Sequence, residues 1–249
     1  MPLKSKDRKL VHFKYYQGVT KESKDTVKNT VIDFYKKVGC RPQFINGYTF
    51  NIVNEYKDVG VTSPFTRRLK KFSELYSETL GATVPPELNK GKKEVVIQLK
   101  ERKFPRKIWK NNVEKKYIEC GILHEIGHNF DNFYGQELEE IKINNVIYFK
   151  KKNLSDSIEF REAMKKDLET IKVSKSGRIQ QQIDVEKTND ISFHSNDFSD
   201  YSRSELFAQL FAYAFGKDDG KRRHSVALYY NSYVLVKNYI KQYIGLTFN

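Results

Sequence analysis

The residues that most clearly announce chemistry are His124-Glu125-Ile126-Gly127-His128, an HExxH pentad inside a segment whose apolar spacing predicts a helix from about Val113 to Asp131. On a helix, positions i and i+4 share a face with side chains about 6 Å apart, so two imidazoles can reach one divalent ion at about 2.0–2.1 Å. Glu125 is rotated by about 100° from His124, which aims its carboxylate beside the metal position, where it can take a proton from a water molecule. Ile118, Ile122, Ile126 and Phe130 form a separate apolar stripe, so packing alone does not explain the histidines. The chemistry of such a constellation is metal-assisted hydrolysis, and the expected ion is Zn²⁺.

A catalytic zinc takes three protein ligands and keeps one position open. The continuation that would supply a third histidine nearby is absent, because Asp131 stands where a glycine would be and Tyr134 where the histidine would be. The third ligand must therefore come from further along. The best candidate is Glu205, near the start of an apolar helix that contains Leu206, Phe207, Leu210, Phe211 and Ala214. Ser202-x-x-Glu205 also satisfies a capping box, in which Glu205 would serve only the helix terminus. His194, Asp197 and Asp200, expected in the preceding loop, are the rival ligands. Cys120, one turn before His124, is expected as a buried structural thiol, since a fourth protein ligand would close the open position. Asp131 either orients a ligand imidazole or ends the helix in solvent. His12 and His224 read as ordinary surface or core histidines.

The segment from Gly121 to Gly135, with HExxH followed three residues later by Asp131, resembles the active-site helix of the anthrax lethal factor-like zinc peptidases, a family that includes the secreted Pro-Pro endopeptidases. The segment Ser202-Arg-Ser-Glu205-Leu-Phe207-Ala208-Gln209 is similar to that family's second helix, which carries the glutamate ligand, and Ser225–Ile244 resembles its C-terminus in character. The resemblance implies a zincin-like fold, a zinc site of His124, His128 and Glu205, Glu125 as general base and a protein substrate. It also implies a toxin-like enzyme that is secreted or delivered to a host cell, with a cytoplasmic location as the alternative. Two departures stand out. The family's tyrosine seven residues before the ligand glutamate is replaced by Phe198, so Tyr201 is the substitute candidate for steadying the oxyanion, against an ordinary loop tyrosine. The stretch from His128 to Glu205 is also long, with an apparent insertion at 153–197. An ImmA/IrrE-like repressor peptidase and a non-catalytic binding module on the same scaffold are the competing readings.

These residues need elements to position them. At 249 residues, with 39% apolar and 14% aromatic side chains, the chain can build a real core despite a mean hydropathy of −0.68. It is expected to form one α+β domain, with an N-lobe of about 1–112 that is mixed helix and strand around a small sheet, and a mainly helical C-lobe of about 113–249. Val27, Val31, Phe34, Tyr35 and Val38 predict a helix ended by Gly39. Asn46-Gly47 predicts a hairpin within Gln43–Val53, and Phe65, Leu69, Phe72, Tyr76 and Leu80 predict a helix closed by Gly81. Val95–Lys100 predicts a short strand and is the expected edge for aligning a substrate backbone. Phe160, Met164, Leu168 and Ile171 mark another helix.

Charge narrows the partners. The chain carries 45 Lys and Arg against 31 Asp and Glu, a net of +14. Eleven of the basic residues crowd Lys90–Lys116 against three Glu; this reads first as a solvated basic face, and as a binding feature the basic flanks of Val95–Lys100 point to a substrate with acidic residues near the cleaved bond rather than nucleic acid, for which no recognition signature accompanies the charge. No apolar run is long enough to span a membrane, no signal sequence is visible at Met1, and two cysteines exclude a disulfide framework. A monomer is expected.

Overall fold

The computed structural model describes residues 11–39, 42–75, 81–99, 112–135, 138–143, 146–173, 200–216 and 226–248. It is a mixed α/β protein, mostly helical, whose chain divides into two compact units, Met1–Asn129 and Phe130–Asn249.

In the first unit β1 (Val11–Tyr15), α1 (Lys21–Val38), β2 (Tyr48–Val53), α2 (Pro64–Lys71), β3 (Gly81–Thr83) and β4 (Glu94–Gln98) lead into α3 (Asn112–Tyr134). The sheet has the order β1-β2-β4-β3, with β1, β2 and β4 parallel and β3 antiparallel to β4. Interior parallel strands are covered on both faces and need apolar residues throughout. Val95, Val96, Ile97, Phe50, Ile52 and Val53 are accordingly fully buried. The polar residues at the two ends of β4 have partners: Glu94 accepts from Thr62 Oγ1 and Asn89 Nδ2, and Gln98 Oε1 accepts from the backbone N–H of Tyr56. Helix α1 starts at Thr20, whose hydroxyl accepts from Ser23 N, and ends at Gly39, whose φ of +66° suits the left-handed cap.

Three expectations change here. The segment around Asn46-Gly47 makes no hairpin: Gln43–Ile45 is a short 3-10 turn, and β2 pairs in parallel with β1 and β4. Gly47, at φ +79°, serves to enter β2. Helix α2 ends at Lys71, and Gly81 opens β3 rather than closing a helix; residues 76–80 lie outside the described residues. Finally, the strand predicted over Val95–Lys100 is β4, which is paired on both sides and has no free edge to offer. The apolar run that marks it as a strand is the signature of an interior one, because an edge strand carries polar residues on one side. Among the described residues the outer strands are β1 and β3.

The second unit begins with the last turn of α3 and continues through β5 (Leu138–Ile143), β6 (Val146–Lys151), α4 (Ile158–Val173), α5 (Asp200–Phe215) and α6 (Tyr230–Ile244). Strands β5 and β6 pair antiparallel as a hairpin. The core is aromatic: Phe130 packs against Phe207 and Phe211, Phe160 against Phe207, and Phe207 against Tyr239. Burial pushes the Tyr239 hydroxyl above its ordinary pKa, only partly offset by its 2.9 Å bond with Ser157 Oγ, so the phenol stays neutral in this core. The expected insertion at 153–197 contains α4, the helix predicted there; its residues 174–197 lie outside the described residues.

Helix α6 has no capping side chain of its own at Tyr229. Its first turn is instead capped from α4 by Asp167, which is 2% exposed. The carboxylate accepts from the backbone N–H groups of Asn231 (2.9 Å) and Ser232 (2.8 Å) and from both side chains. A negative charge at a helix N-terminus satisfies orphan donors and complements the helix dipole. Asp167→Ala leaves the half-buried N–H of Asn231 and the buried N–H of Ser232 without this acceptor and is expected to lower unfolding free energy by about 2 kcal/mol in urea titration. An unchanged midpoint would show that α6 does not depend on this cap.

Candidate metal centre

Helix α3 carries the HExxH pentad on a body whose Ile118, Ile122, Ile126 and Phe130 stripe is buried as the spacing requires. That stripe fixes the rotation of the helix. His124 and His128 consequently lie on a neighbouring face, half-buried, with their Nε2 atoms 3.0 Å apart and their rings edge-on at 84°. Two nitrogens bound tetrahedrally at about 2.0–2.1 Å sit about 3.3 Å apart, so the pair is preset close to ligand geometry.

Glu205 joins them. One ligand atom from each of His124, His128 and Glu205 lies within 4.8 Å of the others, and this is the metal-competent group found among the described residues. Helix α5 begins at Asp200, so Ser202 sits within its first turn rather than at the cap, and the capping-box role for Glu205 falls. Cys120 is half-buried and outside the group. Of the rival ligands, Asp200 opens α5 instead of lying in a loop and its side chain lies outside the description; His194 and Asp197 lie outside the described residues altogether, as do Phe198 and His224. Tyr201 is one helical turn before Glu205 on α5, with its side chain likewise outside the description. His12 is exposed on β1.

The residue before Glu205 is tied to Asp131, three residues after His128. Far from ending the helix in solvent, its carboxylate is fully buried. It accepts from Ser155 N at 2.7 Å, Ser155 Oγ at 2.8 Å and Ser204 Oγ at 3.2 Å, so one carboxylate ties α3 to the turn at Leu154–Asp156 and to α5 one residue before Glu205. The residue after Ser155 and the residue before Ser204 reinforce it: Asp156 and Arg203, both buried, pair at 3.1 Å. Behind Asp131, Gly135 lets the chain at Lys152 pass so close that a Cβ would stand 1.7 Å from the Lys152 carbonyl oxygen. Asn132 Nδ2 donates to Asn153 Oδ1 nearby.

Glu125 stands apart from this group and is 3% exposed. Its carboxylate lies against β3: a Cβ built on Gly81 would come within 2.5 Å of Glu125 Oε1 and 2.7 Å of its Cγ. Two residues on, Thr83 Oγ1 donates to Asn129 Oδ1 at 3.4 Å. Positions 81 and 83 of a strand are about 6.6 Å apart and positions 125 and 129 of a helix about 6 Å apart, so β3 runs along one face of α3. Sequence reasoning missed Gly81, Thr83, Ser155 and Ser204. None carries a reactive group, and only the Ser202–Glu205 spacing hinted that the start of α5 was constrained.

The donor set of two imidazoles and one carboxylate is one that can hold a divalent metal ion. The chain matches no protein-family model and no curated protein.

If Asp131 sets Glu205 through Ser204, Ser204→Ala is expected to weaken divalent-metal affinity by about tenfold, read by competition with a chromophoric chelator. The protein should keep its fold, since Ser155 still serves Asp131. Unaltered affinity would place Ser204 outside the support of the site.

Proposed function

We propose that this protein is a zinc-dependent endopeptidase of the HExxH-and-glutamate kind, in line with its resemblance to the lethal factor-like peptidases. The observation that carries the reading is the convergence of His124, His128 and Glu205, from two helices far apart in sequence, while Glu125 remains outside the group. Structural histidines in a core have no reason to present two ring nitrogens and a distant carboxylate to one point.

In this reading Nε2 of His124, Nε2 of His128 and a carboxylate oxygen of Glu205 hold the ion. When bound, zinc supplies Lewis acidity toward the scissile carbonyl and acidifies a water molecule to a pKa of about 7. Glu125 takes the water's proton on its carboxylate as the water oxygen bonds to the carbonyl carbon, and then passes that proton to the amine nitrogen, after which the peptide C–N bond breaks. Burial of Glu125 against Gly81 restricts the orientations its carboxylate can take. Tyr201, on the strip of α5 that carries Glu205, is the candidate donor to the oxyanion. The substrate backbone aligns on β3, the outer strand beside Glu125, and not on β4. The surplus positive charge favours polypeptides with acidic residues near the cleaved bond. Secretion, or delivery into another cell, is part of the same proposal. No helix among the described residues is long and apolar enough to cross a membrane.

Purified protein should contain close to one zinc per chain. Glu125→Gln should keep that zinc while peptide-library cleavage falls roughly a thousandfold. A chain that purifies without zinc and takes none up on titration overturns the reading, as does full activity in the Glu125→Gln variant.

A further inference from the structure

We infer that Gly81 is a positioning residue for Glu125: the absence of a side chain on the first residue of β3 is what allows the carboxylate of the general base to stand where it does. This deepens the peptidase reading and rests on it for the catalytic consequence, although the contact itself does not.

The argument is steric. Glu125 is buried, and a Cβ on Gly81 would meet three of its atoms at once, Oε1 at 2.5 Å, Cγ at 2.7 Å and Cδ at 2.8 Å. Contacts that short do not persist, so either β3 retreats or the Glu125 side chain leaves. Retreat of β3 is resisted at both ends. Gly81, Ala82 and Thr83 pair with Ile97, Val96 and Val95 of β4, all three of them fully buried. Thr83 is tied in addition to Asn129 of α3 and to the Glu94 carbonyl. The Cγ contact lies midway along the side chain, so a turn of the terminal carboxylate alone does not relieve it. Glu125 itself has to move.

Gly81 is not required here by its backbone. It is not among the glycines with positive φ, and other residues could adopt its conformation. Its requirement is for space, and the space is used by one side chain. Strand β3 therefore has two tasks under the peptidase reading. It offers an outer edge to the substrate, and its first residue sets the proton acceptor at a fixed depth relative to that edge. A displacement of the base by about 1 Å is enough to cost about a hundredfold in turnover.

The test is a double-variant cycle on the full chain. Gly81→Ala, loaded with zinc, is expected to lose about a hundredfold in kcat with KM and zinc content within twofold of the parent. Thermal melting supplies a second readout that needs no activity. Gly81→Ala should lower Tm by about 5 °C in the parent, and by less than 1 °C in a Glu125→Ala background, where the colliding atoms are gone. An equal Tm cost in both backgrounds, or a kcat within threefold of the parent, overturns the inference. Coupling in Tm from a protein that neither holds zinc nor cleaves peptides leaves the contact standing and overturns the peptidase reading instead.

Discussion

The buried Asp131 carboxylate is the interaction on which the candidate centre depends. An uncompensated buried charge costs several kcal/mol, so Asp131 is tolerable only where donors surround it. Ser155 supplies a backbone N–H and a hydroxyl, and Ser204 supplies another hydroxyl. That requirement couples three pieces of chain that are remote in sequence: the end of α3, the turn at Leu154–Asp156 and the start of α5. Glu205 follows Ser204 directly, so satisfying Asp131 also restricts where the Glu205 side chain begins. Arg203 and Asp156 repeat the arrangement one residue away on each strand of chain, as a buried ion pair rather than a hydroxyl bond.

A second constraint acts on Glu125 from the other side of the same helix. Three faces of α3 have separate duties. The isoleucine stripe is buried in the core, the histidines present paired nitrogens, and the face of Glu125 and Asn129 lies along β3. A helix can do this because successive residues are rotated by about 100°, so neighbours in sequence need not share surroundings. The price is polarity: Glu125, Asn129 and Asp131 are all buried, and each has to be accommodated by side chains from other elements or by the lack of one. Gly81 and Gly135 are accommodations of the second type, where backbone passes close to α3 because no Cβ intervenes.

The sheet illustrates how local pattern misleads about edges. VVIQL is the strongest strand signal in the chain and appears suited to accept a substrate. The same apolar density buries it between β2 and β3. Gly81-Ala82-Thr83 has poor intrinsic strand preference and no alternation to read, yet it forms the outer strand beside Glu125. Its pairing is imposed by β4. The apparent hairpin at Asn46-Gly47 fails for a related reason: the turn is local and does form, but the strand after it finds parallel partners on both sides instead of its immediate predecessor.

Periodicity and spacing alone determined α1 with its glycine cap, the burial stripe of α3, the helix at α4, and the placing of His124 and His128 on one face of α3. These are consequences of helical geometry within a few turns, which the order of residues fixes directly. Glu205 could be nominated as the third ligand from sequence, but its rival role as a cap was settled only by where α5 starts. The burial and partners of Asp131, the identity of the outer strand, and the need for glycine at position 81 belonged to the tertiary structure. Each depends on which remote segment arrives beside α3, and long-range packing leaves no local period along the chain to be read.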